Sequence, residues 1–542
     1  MDAAALDNLL DTLSRDRRPT FPRLNREAIE AAVAQLDQGD LRRRRLVGQL
    51  LLHQGRRSLA ALLAAAANAP LPIRRSAVFL LGRQAARLDD GTQRRAATAC
   101  LLQALAHDDA KLRKNSAVVL GPWIPEAVPA LAAALKRESV DWIRPSLLLA
   151  LGAVGGDQAR AALLEWQPTG AEESGALAKA LDRTAPPPTL RSLKRPLETA
   201  VAVELITRPG LEPQLVDELR QRLGLAARSL GPGGLALETA DIHQLLTLRT
   251  LAEVLLPLAS GPRAADQMPA LIERLGQPSL GQRLLTWHKP GDGPLPYRLE
   301  VRGPGLGHHR RRALVQQWVA ALQQTTPLLV NSPSHYAVEL RLILRPDSFR
   351  LLARPSTLPD ERFSYRRADV PAALDPVVAA GLVRALGPTA PQARVLDPCC
   401  GSGTLLFERG LLAPYGQLVG IDIAPRAVEA ARNNAQAAGL AHTAFSQGDA
   451  AALNGQGPFD ELVANLPFGL RSGDHTSNQT LYTALFRQLP KLLVPGARIL
   501  LYTQEQKLTH RLFARSKSLR LSRTFRVDAG GLQPTAFLAR RR

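Results

Sequence analysis

The stretch from Asp397 to Gly403 carries residue types that suit the binding of a small charged ligand. An apolar run ends at Asp397, Gly401 and Gly403 follow, and a helical pattern of apolar residues comes next. This order predicts a strand, a tight loop and a helix, because glycine adopts backbone angles that other residues avoid. The free amides that begin a helix add a positive field. We therefore predict a cofactor-binding loop.

The spacing of the glycines and of the next acidic residue distinguishes between classes of nucleotide-like ligand. A nicotinamide-binding loop would need a third glycine where Leu406 stands, so a dinucleotide is disfavoured. A second apolar run, residues 417–421, ends at Asp422, 25 residues after Asp397 (422 − 397). An acidic side chain at the tip of a second strand can bind both hydroxyls of a ribose. The two carboxylates are expected to bracket one nucleoside-like ligand.

Two more predicted strands lead into polar residues farther along the chain. Residues 444–447 lead to Asp449, and residues 460–464 lead to the segment Asn465–Gly469, which reads Asn-Leu-Pro-Phe-Gly. Open α/β sheets bind their ligands at the carboxyl ends of the strands. Four predicted strand tips in succession therefore present polar groups at one edge of a sheet.

In these motifs the last third of the chain resembles class I S-adenosylmethionine-dependent methyltransferases. Asp-x-x-x-Gly-x-Gly corresponds to their first motif and Asn-Leu-Pro-Phe to their fourth. The resemblance implies a C-terminal α/β Rossmann-like domain over residues 366–542, with S-adenosylmethionine as the cofactor. The cofactor-binding residues that it implies are Asp397, Gly401 and Gly403 around the methionine part, Asp422 on the ribose, Ile423 against adenine and Asp449 near the adenine amine.

The predicted catalytic segment consists of Asn465, Leu466, Pro467 and Phe468. An exocyclic amine of a base is a poor nucleophile, because its lone pair is delocalised into the ring. The Asn465 side-chain oxygen and the Leu466 carbonyl can accept the two amine hydrogens and aim the lone pair at the methyl group. Pro467 biases the residue before it to an extended conformation, and Phe468 offers a face for an extruded base.

The second position of this motif bears on the substrate. The family pattern is commonly Asn-Pro-Pro-Tyr or Asn-Pro-Pro-Phe, whereas Leu466 stands second here. Asn-Leu-Pro-Phe-Gly resembles most the THUMP-containing guanine-N2 methyltransferases of transfer RNA. The resemblance implies methylation of the N2 amine of a guanosine in tRNA, with 23S rRNA as the alternative. A protein-glutamine or DNA-adenine target explains the middle domain and the charge less well, and a non-catalytic RNA-binding scaffold with a vestigial methyltransferase fold is a further alternative.

The composition and the cysteines indicate which binding partners and which cellular compartment to expect. A net charge of +21 and an isoelectric point near 10.8 favour a polyanion, and nucleic acid is preferred over membrane since no long apolar run appears. The three cysteines have neither a disulfide framework nor zinc spacing, so we expect no metal and a reduced, cytoplasmic protein. Cytosine-C5 enzymes need a cysteine near the fourth strand, so Cys399 and Cys400 are predicted to be packing residues.

The N-terminal region repeats. Four segments superpose without gaps, and each opens with an aliphatic residue followed by arginine: Leu41–Leu50, Ile73–Gly82, Leu112–Gly121 and Ile143–Gly152. The pattern resembles HEAT repeats and predicts an all-α solenoid over residues 1–185. The repeated arginines, and the run of arginines at 42–45, either contact RNA phosphates or satisfy carbonyls and acids between stacked helices.

The middle of the chain, residues 196–365, has an α+β pattern and follows a proline-rich linker at 186–188. The segment Thr207–Glu212 resembles the opening of a THUMP-type RNA-binding region. Residues His308–Arg312 are either phosphate contacts or an ordinary solvated helix start. The chain closes with Arg540–Arg542, which either contacts RNA or has no role. The predicted architecture is thus multidomain, with a HEAT-like solenoid, a THUMP-like domain and a class I methyltransferase.

Overall fold

A computed structural model gives the fold of this chain, and it describes residues 3–15, 21–87, 91–121, 124–184, 190–262, 271, 277–291, 293–371, 373–387, 390–453, 457–468, 475–528 and 530–542. The chain divides into two compact units, Met1–Pro188 and Thr189–Arg542. The predicted division of the second unit near residue 365 stays a prediction, although a separate sheet lies on either side of it. No helix in the described ranges is long and apolar enough to cross a membrane.

The described part of the first unit is helical. Leucine and alanine side chains form its core, and short polar residues such as Asn25, Asp40 and Asp109 cap helix starts by accepting a backbone N–H. Its helices are Ala3–Arg15, Arg26–Ala34, Leu41–His53, Arg56–Asn68, Leu71–Ala85, Gly91–Leu105, Ala110–Val119, Val128–Arg137, Arg144–Val154, Gly156–Leu164 and Ala171–Thr184, with a 3₁₀ turn at Pro125–Ala127. The assignment to HEAT repeats stays a prediction.

The repeated arginines have partners inside this unit. Arg113 forms a two-pronged ion pair with Glu138 (Nη2 to Oε1 2.7 Å), and Arg144 contacts Glu173 at 3.1 Å. In the run at 42–45, Arg43 pairs with two aspartates of the first helix. For these arginines the structure supports the interpretation as contacts between helices, because their guanidinium groups are already matched by carboxylates.

The second unit begins with an eight-stranded sheet in the order β2-β3-β1-β4-β8-β7-β5-β6. Its strands are β1 Val201–Ile206, β2 Arg228–Gly231, β3 Gly234–Thr239, β4 Glu253–Pro262, β5 Leu295–Arg302, β6 Leu329–Asn331, β7 Val338–Leu344 and β8 Ser348–Pro355. The accompanying helices are Glu212–Leu223, Ile242–Leu245, Pro278–Trp287 and His308–Thr325. The sequence pattern of residues 265–275 predicts a further helix, but almost all of these residues lie outside the described ranges. Residues 196–365 thus contain both helices and strands, as the sequence pattern predicted, but the central strand β4 was not predicted.

The C-terminal sheet has seven strands in the order β11-β10-β9-β12-β13-β15-β14. Its strands are β9 Arg394–Asp397, β10 Gln417–Asp422, β11 Thr443–Gln447, β12 Phe459–Asn465, β13 Leu493–Thr503, β14 Leu519–Arg526 and β15 Thr535–Arg541. Helices Pro376–Leu386, Thr404–Leu412, Pro425–Ala438, His475–Leu492 and Gln506–Arg515 accompany them. Strands β9 to β13 are parallel, and β15 is antiparallel to both of its neighbours. The strand order reverses between β9 and β12, which is where open α/β sheets bind ligands.

The segment Thr207–Glu212 joins the two sheets of the second unit. Gly210 has a φ of +99°, and a Cβ there would lie 2.0 Å from the carbonyl oxygen of Arg526. The Asp528 amide donates to the Pro209 carbonyl at 2.9 Å, and Leu211 is fully buried in the core of the C-terminal sheet. The residues that resemble the opening of an RNA-binding region therefore contact the neighbouring α/β sheet in this structure.

Of the three arginines at 540–542, Arg540 and Arg541 belong to strand β15. Arg540 pairs with Arg498 in the antiparallel ladder, and the Arg541 guanidinium donates to the Leu493 carbonyl. Arg541 is thus part of the sheet, where it pairs with Leu519 of β14.

Candidate active site

Asp397 ends strand β9 and is 1% exposed. Its Oδ1 accepts a hydrogen bond from the Cys399 amide at 3.0 Å. Burial raises the pKa of this carboxyl to about 8; the bond from Cys399 opposes the rise, and the nearby Asp422 carboxylate adds to it. A cationic ligand next to this group would favour its ionised form.

The glycine loop is tied to the tip of strand β10. Gly401 has a φ of +54°, and its amide donates to Asp422 Oδ2 at 2.8 Å, while Asp422 Oδ1 accepts from the Ala424 amide at 2.9 Å. Gly403 has a φ of +85°, and a Cβ there would lie 2.4 Å from the ring of Phe407. Both positions therefore require glycine, and the loop holds its shape through a carboxylate of the next strand.

Ile423 and Asp449 follow the tips of adjacent strands. Asp422 pairs with Gln447 in the parallel ladder of β10 and β11, and the Gln447 side chain donates to the Ile423 carbonyl at 3.2 Å. Ile423 is 69% exposed, although it is a large apolar residue. The Asp449 carboxylate accepts from the Ala451 amide at 2.8 Å. An apolar surface and a carboxylate thus lie beside Asp422.

The residues present at this edge fit S-adenosylmethionine. Two hydroxyls in the loop, Ser402 Oγ and Thr404 Oγ1, are buried and have no hydrogen-bond partner anywhere in the described ranges. Together with Asp397 and Asp422 they offer acceptors to a ligand that carries positive charge and hydroxyls, and Ile423 offers it an apolar contact. Ser402 and Thr404 were not predicted from the sequence, where their only signal was a hydroxyl inside a glycine-rich loop.

Asn465 ends strand β12, the neighbour of β9. Its Oδ1 is buried, and no group among the described residues donates to it. The fully buried Leu466 donates its amide to the Tyr502 carbonyl at 3.0 Å. The Pro467 carbonyl accepts from the Tyr482 hydroxyl at 2.9 Å. The segment is therefore fixed on both sides of Leu466, while one strong acceptor of Asn465 is left for another molecule.

Phe468 is half-buried beside Tyr502, with ring centroids 6.1 Å apart and planes at 69°. The Tyr502 hydroxyl is also buried without a partner in the part of the chain that is described, and the Tyr482 hydroxyl lies 2.6 Å from Thr503 Oγ1. Tyr482, Tyr502 and Thr503 were not predicted as site residues from the sequence. Tyr502 and Thr503 lie at the end of the next strand, β13. Their position at a strand tip was the only sequence signal that they could belong to the site. Gly469, which closes the motif, lies outside the described residues.

The two cysteines of the glycine loop pack against apolar residues. Cys400 is 6% exposed in the hydrophobic core, and Cys399 packs against the neighbouring cluster. Burial raises the pKa of both thiols, so neither favours the thiolate. These features agree with the prediction that both are packing residues.

Comparison with known proteins adds to this geometry. Residues 364–535 match the family model described as UPF0020, RMKL-like, methyltransferase domain. The chain is 29% identical over 354 residues to the tRNA (guanine(6)-N2)-methyltransferase of Thermus thermophilus, covering 62% of this chain and 98% of that protein. It is 26% identical to the ribosomal RNA large subunit methyltransferase K/L of Syntrophotalea carbinolica, covering 52% of this chain and 46% of that protein.

A solved structure has a fold similar to that of most of this chain. TrmN from Thermus thermophilus matches with a TM-score of 0.51 and 27% identity, covering 63% of this chain and 99% of that chain. The strand order, the glycine loop and the family match together define the C-terminal part as a class I methyltransferase domain of the kind that uses S-adenosylmethionine.

Proposed function

We propose that this chain is an RNA methyltransferase that transfers a methyl group from S-adenosylmethionine to the exocyclic N2 amine of a guanosine, with tRNA as the expected substrate. The observation that carries this proposal is the buried Asn465 Oδ1, which finds no donor among the described residues. A buried acceptor of this kind costs free energy unless a ligand supplies a donor. The similar tRNA guanine-N2 methyltransferase of Thermus thermophilus supports the choice of amine.

In the proposed mechanism the catalytic segment orients the base. Asn465 Oδ1 and the Leu466 carbonyl each accept one hydrogen of the amine, which holds the nitrogen lone pair out of the ring's conjugation. Pro467 keeps Leu466 extended, and Phe468 stacks on the base. When bound, S-adenosylmethionine supplies an electrophilic methyl group. The amine nitrogen would form a bond to the methyl carbon while the methyl–sulfur bond breaks, so that the donor leaves as a neutral thioether and the amine loses one proton to water. Positioning would provide most of the rate.

The proposed cofactor contacts follow the order of the strand tips. Asp397, with Gly401 and Gly403, would hold the methionine part, whose ammonium group complements a buried carboxylate. Asp422 would bind the ribose hydroxyls. The exposed apolar side chain of Ile423 would cover the adenine ring, and Asp449 would accept from the adenine amine.

The remaining parts of the proposal concern the RNA. The net charge of +21 supports a polyanionic partner. The predicted THUMP-like domain would position the RNA, and the basic residues at 308–312, which are exposed at the start of helix His308–Thr325, would contact phosphates. The similar rRNA methyltransferase of Syntrophotalea carbinolica keeps rRNA as the alternative substrate.

The test incubates the full chain with labelled S-adenosylmethionine and separate pools of unmodified tRNA and rRNA, and identifies the product nucleoside by mass spectrometry. We expect N2-methylguanosine in tRNA. Asn465→Ala should lower kcat by about 100-fold or more, as the loss of one transition-state hydrogen bond does. Asn331→Ala, at the end of β6 in the other sheet, is the matched control and should keep full activity.

Three outcomes would contradict the proposal. N6-methyladenosine as the product, or label found only in protein, would overturn the choice of substrate. Binding of S-adenosylmethionine without transfer to either RNA pool would favour the non-catalytic scaffold.

A further inference from the structure

A cavity of about 540 Å³ opens in the first unit, which the proposed function does not use. Its lining residues are Phe21, Arg23, His53, Gln54, Arg56 and Arg57. Three of them are arginines, and the others are an aromatic residue, a histidine and an amide. Among the described residues this lining contains no carboxylate, so its charged groups are positive and the cavity suits an anion.

Gln54 fixes the walls of this cavity. Its side chain is 7% exposed; Oε1 accepts from the Leu24 amide at 2.8 Å, and Nε2 donates to the Pro22 carbonyl at 3.0 Å. One side chain therefore ties residues 22–24 to the end of helix Leu41–His53. The rings of Phe21 and His53 lie next to each other, with centroids 5.7 Å apart. Gln54 and the contact between Phe21 and His53 thus order one side of the cavity, and the arginines around it are exposed to solvent.

The arginines of the cavity differ from the other arginines of this unit. Arg113 and Arg144 are neutralised by glutamates. Among the described residues, the Arg57 side chain donates one long hydrogen bond, 3.5 Å, to the Leu24 carbonyl. Across the described residues, neither Arg23 nor Arg57 lies within 4.0 Å of a carboxylate. Their charge is therefore available to a ligand.

The size and chemistry of the cavity suit one nucleotide unit. A volume of about 540 Å³ is within the range of small-molecule pockets. Guanidinium groups bind phosphate oxygens through two parallel hydrogen bonds, and aromatic rings stack on bases of any sequence. We propose that this cavity binds a nucleotide of the RNA substrate, with its phosphate on Arg23 and Arg57 and its base against Phe21. The choice of RNA as the ligand rests on the proposed function.

The test measures binding of a fluorescent unmodified tRNA transcript to the full chain by anisotropy, without methyl donor. Arg57→Gln should weaken binding about tenfold, since a charge-assisted hydrogen bond to phosphate is lost. Phe21→Ala should weaken it about fivefold through lost stacking. Arg57→Lys keeps the charge but loses the two parallel hydrogen bonds, so it should weaken binding less than Arg57→Gln does. The matched control is Arg26→Gln, which removes the same charge from a side chain that is 90% exposed and paired with Glu30; it should also stay within about twofold.

A salt titration separates a phosphate contact from a general loss of charge. Each lost phosphate contact should make the slope of log affinity against log salt shallower by about 0.7 to 0.9 in Arg57→Gln, but not in Arg26→Gln. Circular dichroism melting curves show whether the variants keep their fold. Equal effects of Arg57→Gln and Arg26→Gln in folded proteins would overturn the proposal.

Two further measurements identify the ligand and distinguish a failure of this proposal from a failure of the proposed methyltransferase function. If Arg57→Gln loses binding of guanosine monophosphate but keeps its tRNA affinity, the cavity serves a free nucleotide and the RNA proposal is wrong. Intact tRNA binding that depends on Arg57, combined with no methyl transfer by the wild type, would contradict the proposed function and leave the cavity proposal standing.

Discussion

At the scale of single residues, Asp397 makes the protein's stability depend on pH. Burial raises its pKa to about 8, so the folded chain binds a proton that the unfolded chain, with an ordinary aspartate pKa of 3.8, releases. Between these values the unfolded state binds fewer protons, so stability falls as pH rises from about 4 to about 8. Asp397→Asn should therefore raise the melting temperature at pH 8.5 and leave it almost unchanged near pH 4. The check is calorimetry of the cofactor-free chain.

The exposed Asp347 supplies the control for this measurement. Asp347→Asn should keep the pH dependence of the wild type. A wild type and an Asp397→Asn variant that melt at the same temperature at pH 8.5 would show that the buried carboxyl carries no such cost.

The same carboxyl should link cofactor binding to pH. An ammonium group favours the ionised form of Asp397, so ligand binding must release the proton that burial retains. We expect the affinity for S-adenosylmethionine to rise between pH 6 and pH 8, and Asp397→Asn to bind weakly at every pH. Isothermal titration calorimetry at several pH values measures this. A wild-type affinity that is constant over the range would contradict the expectation.

At the scale of elements, one ion pair holds the helix that follows the glycine loop. Glu408, in helix Thr404–Leu412, is fully buried and accepts from Arg249 Nε and Nη2 at 2.6 and 2.8 Å and from the Tyr365 hydroxyl at 2.6 Å. Arg249 belongs to the part of the second unit that contains the eight-stranded sheet. The pair therefore anchors the cofactor-loop helix to residues far away in sequence.

Removing one partner of this pair should be costly. Arg249→Met leaves the Glu408 carboxylate buried and unpaired, so we expect it to destabilise the second unit by about 3 kcal/mol. The double variant Arg249→Met, Glu408→Gln should recover part of that loss, because it no longer buries a charge. Thermal and urea unfolding measure both variants.

Arg302 provides the contrast, since its side chain is 50% exposed in its pair with Glu300. Arg302→Met should cost about 0.5 kcal/mol or less. If Arg249→Met costs no more than this, then the buried pair does not anchor the helix.

At the scale of the whole molecule, the net charge of +21 should dominate the strength of RNA binding. Binding that uses about four phosphate contacts would weaken roughly 100-fold between 50 and 200 mM salt, because neutralised phosphates release counterions. Anisotropy with a tRNA transcript over this salt range measures the slope. An affinity that hardly changes with salt would show that the excess charge does not contact the phosphates.

The sequence by itself determined the parts whose signal is local. Apolar runs that end in Asp397, Asp422 and Asn465 predicted strands and their tips, because a strand's alternation and a glycine loop are both readable within a few residues. The helical character of the first unit followed from its Leu and Ala periodicity for the same reason. The central strand β4 was not predicted, since Pro257 and its Ser-Gly-Pro end give no strand signal of their own.

Only the tertiary structure decided which groups lack partners and which have them. It matched Arg113 and Arg144 with buried glutamates, and it left Asn465 Oδ1 and the Tyr502 hydroxyl without donors or acceptors among the described residues. It also placed Gly210 against the carbonyl of Arg526. Hydrogen bonds and ion pairs join residues distant in sequence, so their presence depends on packing that no local pattern contains.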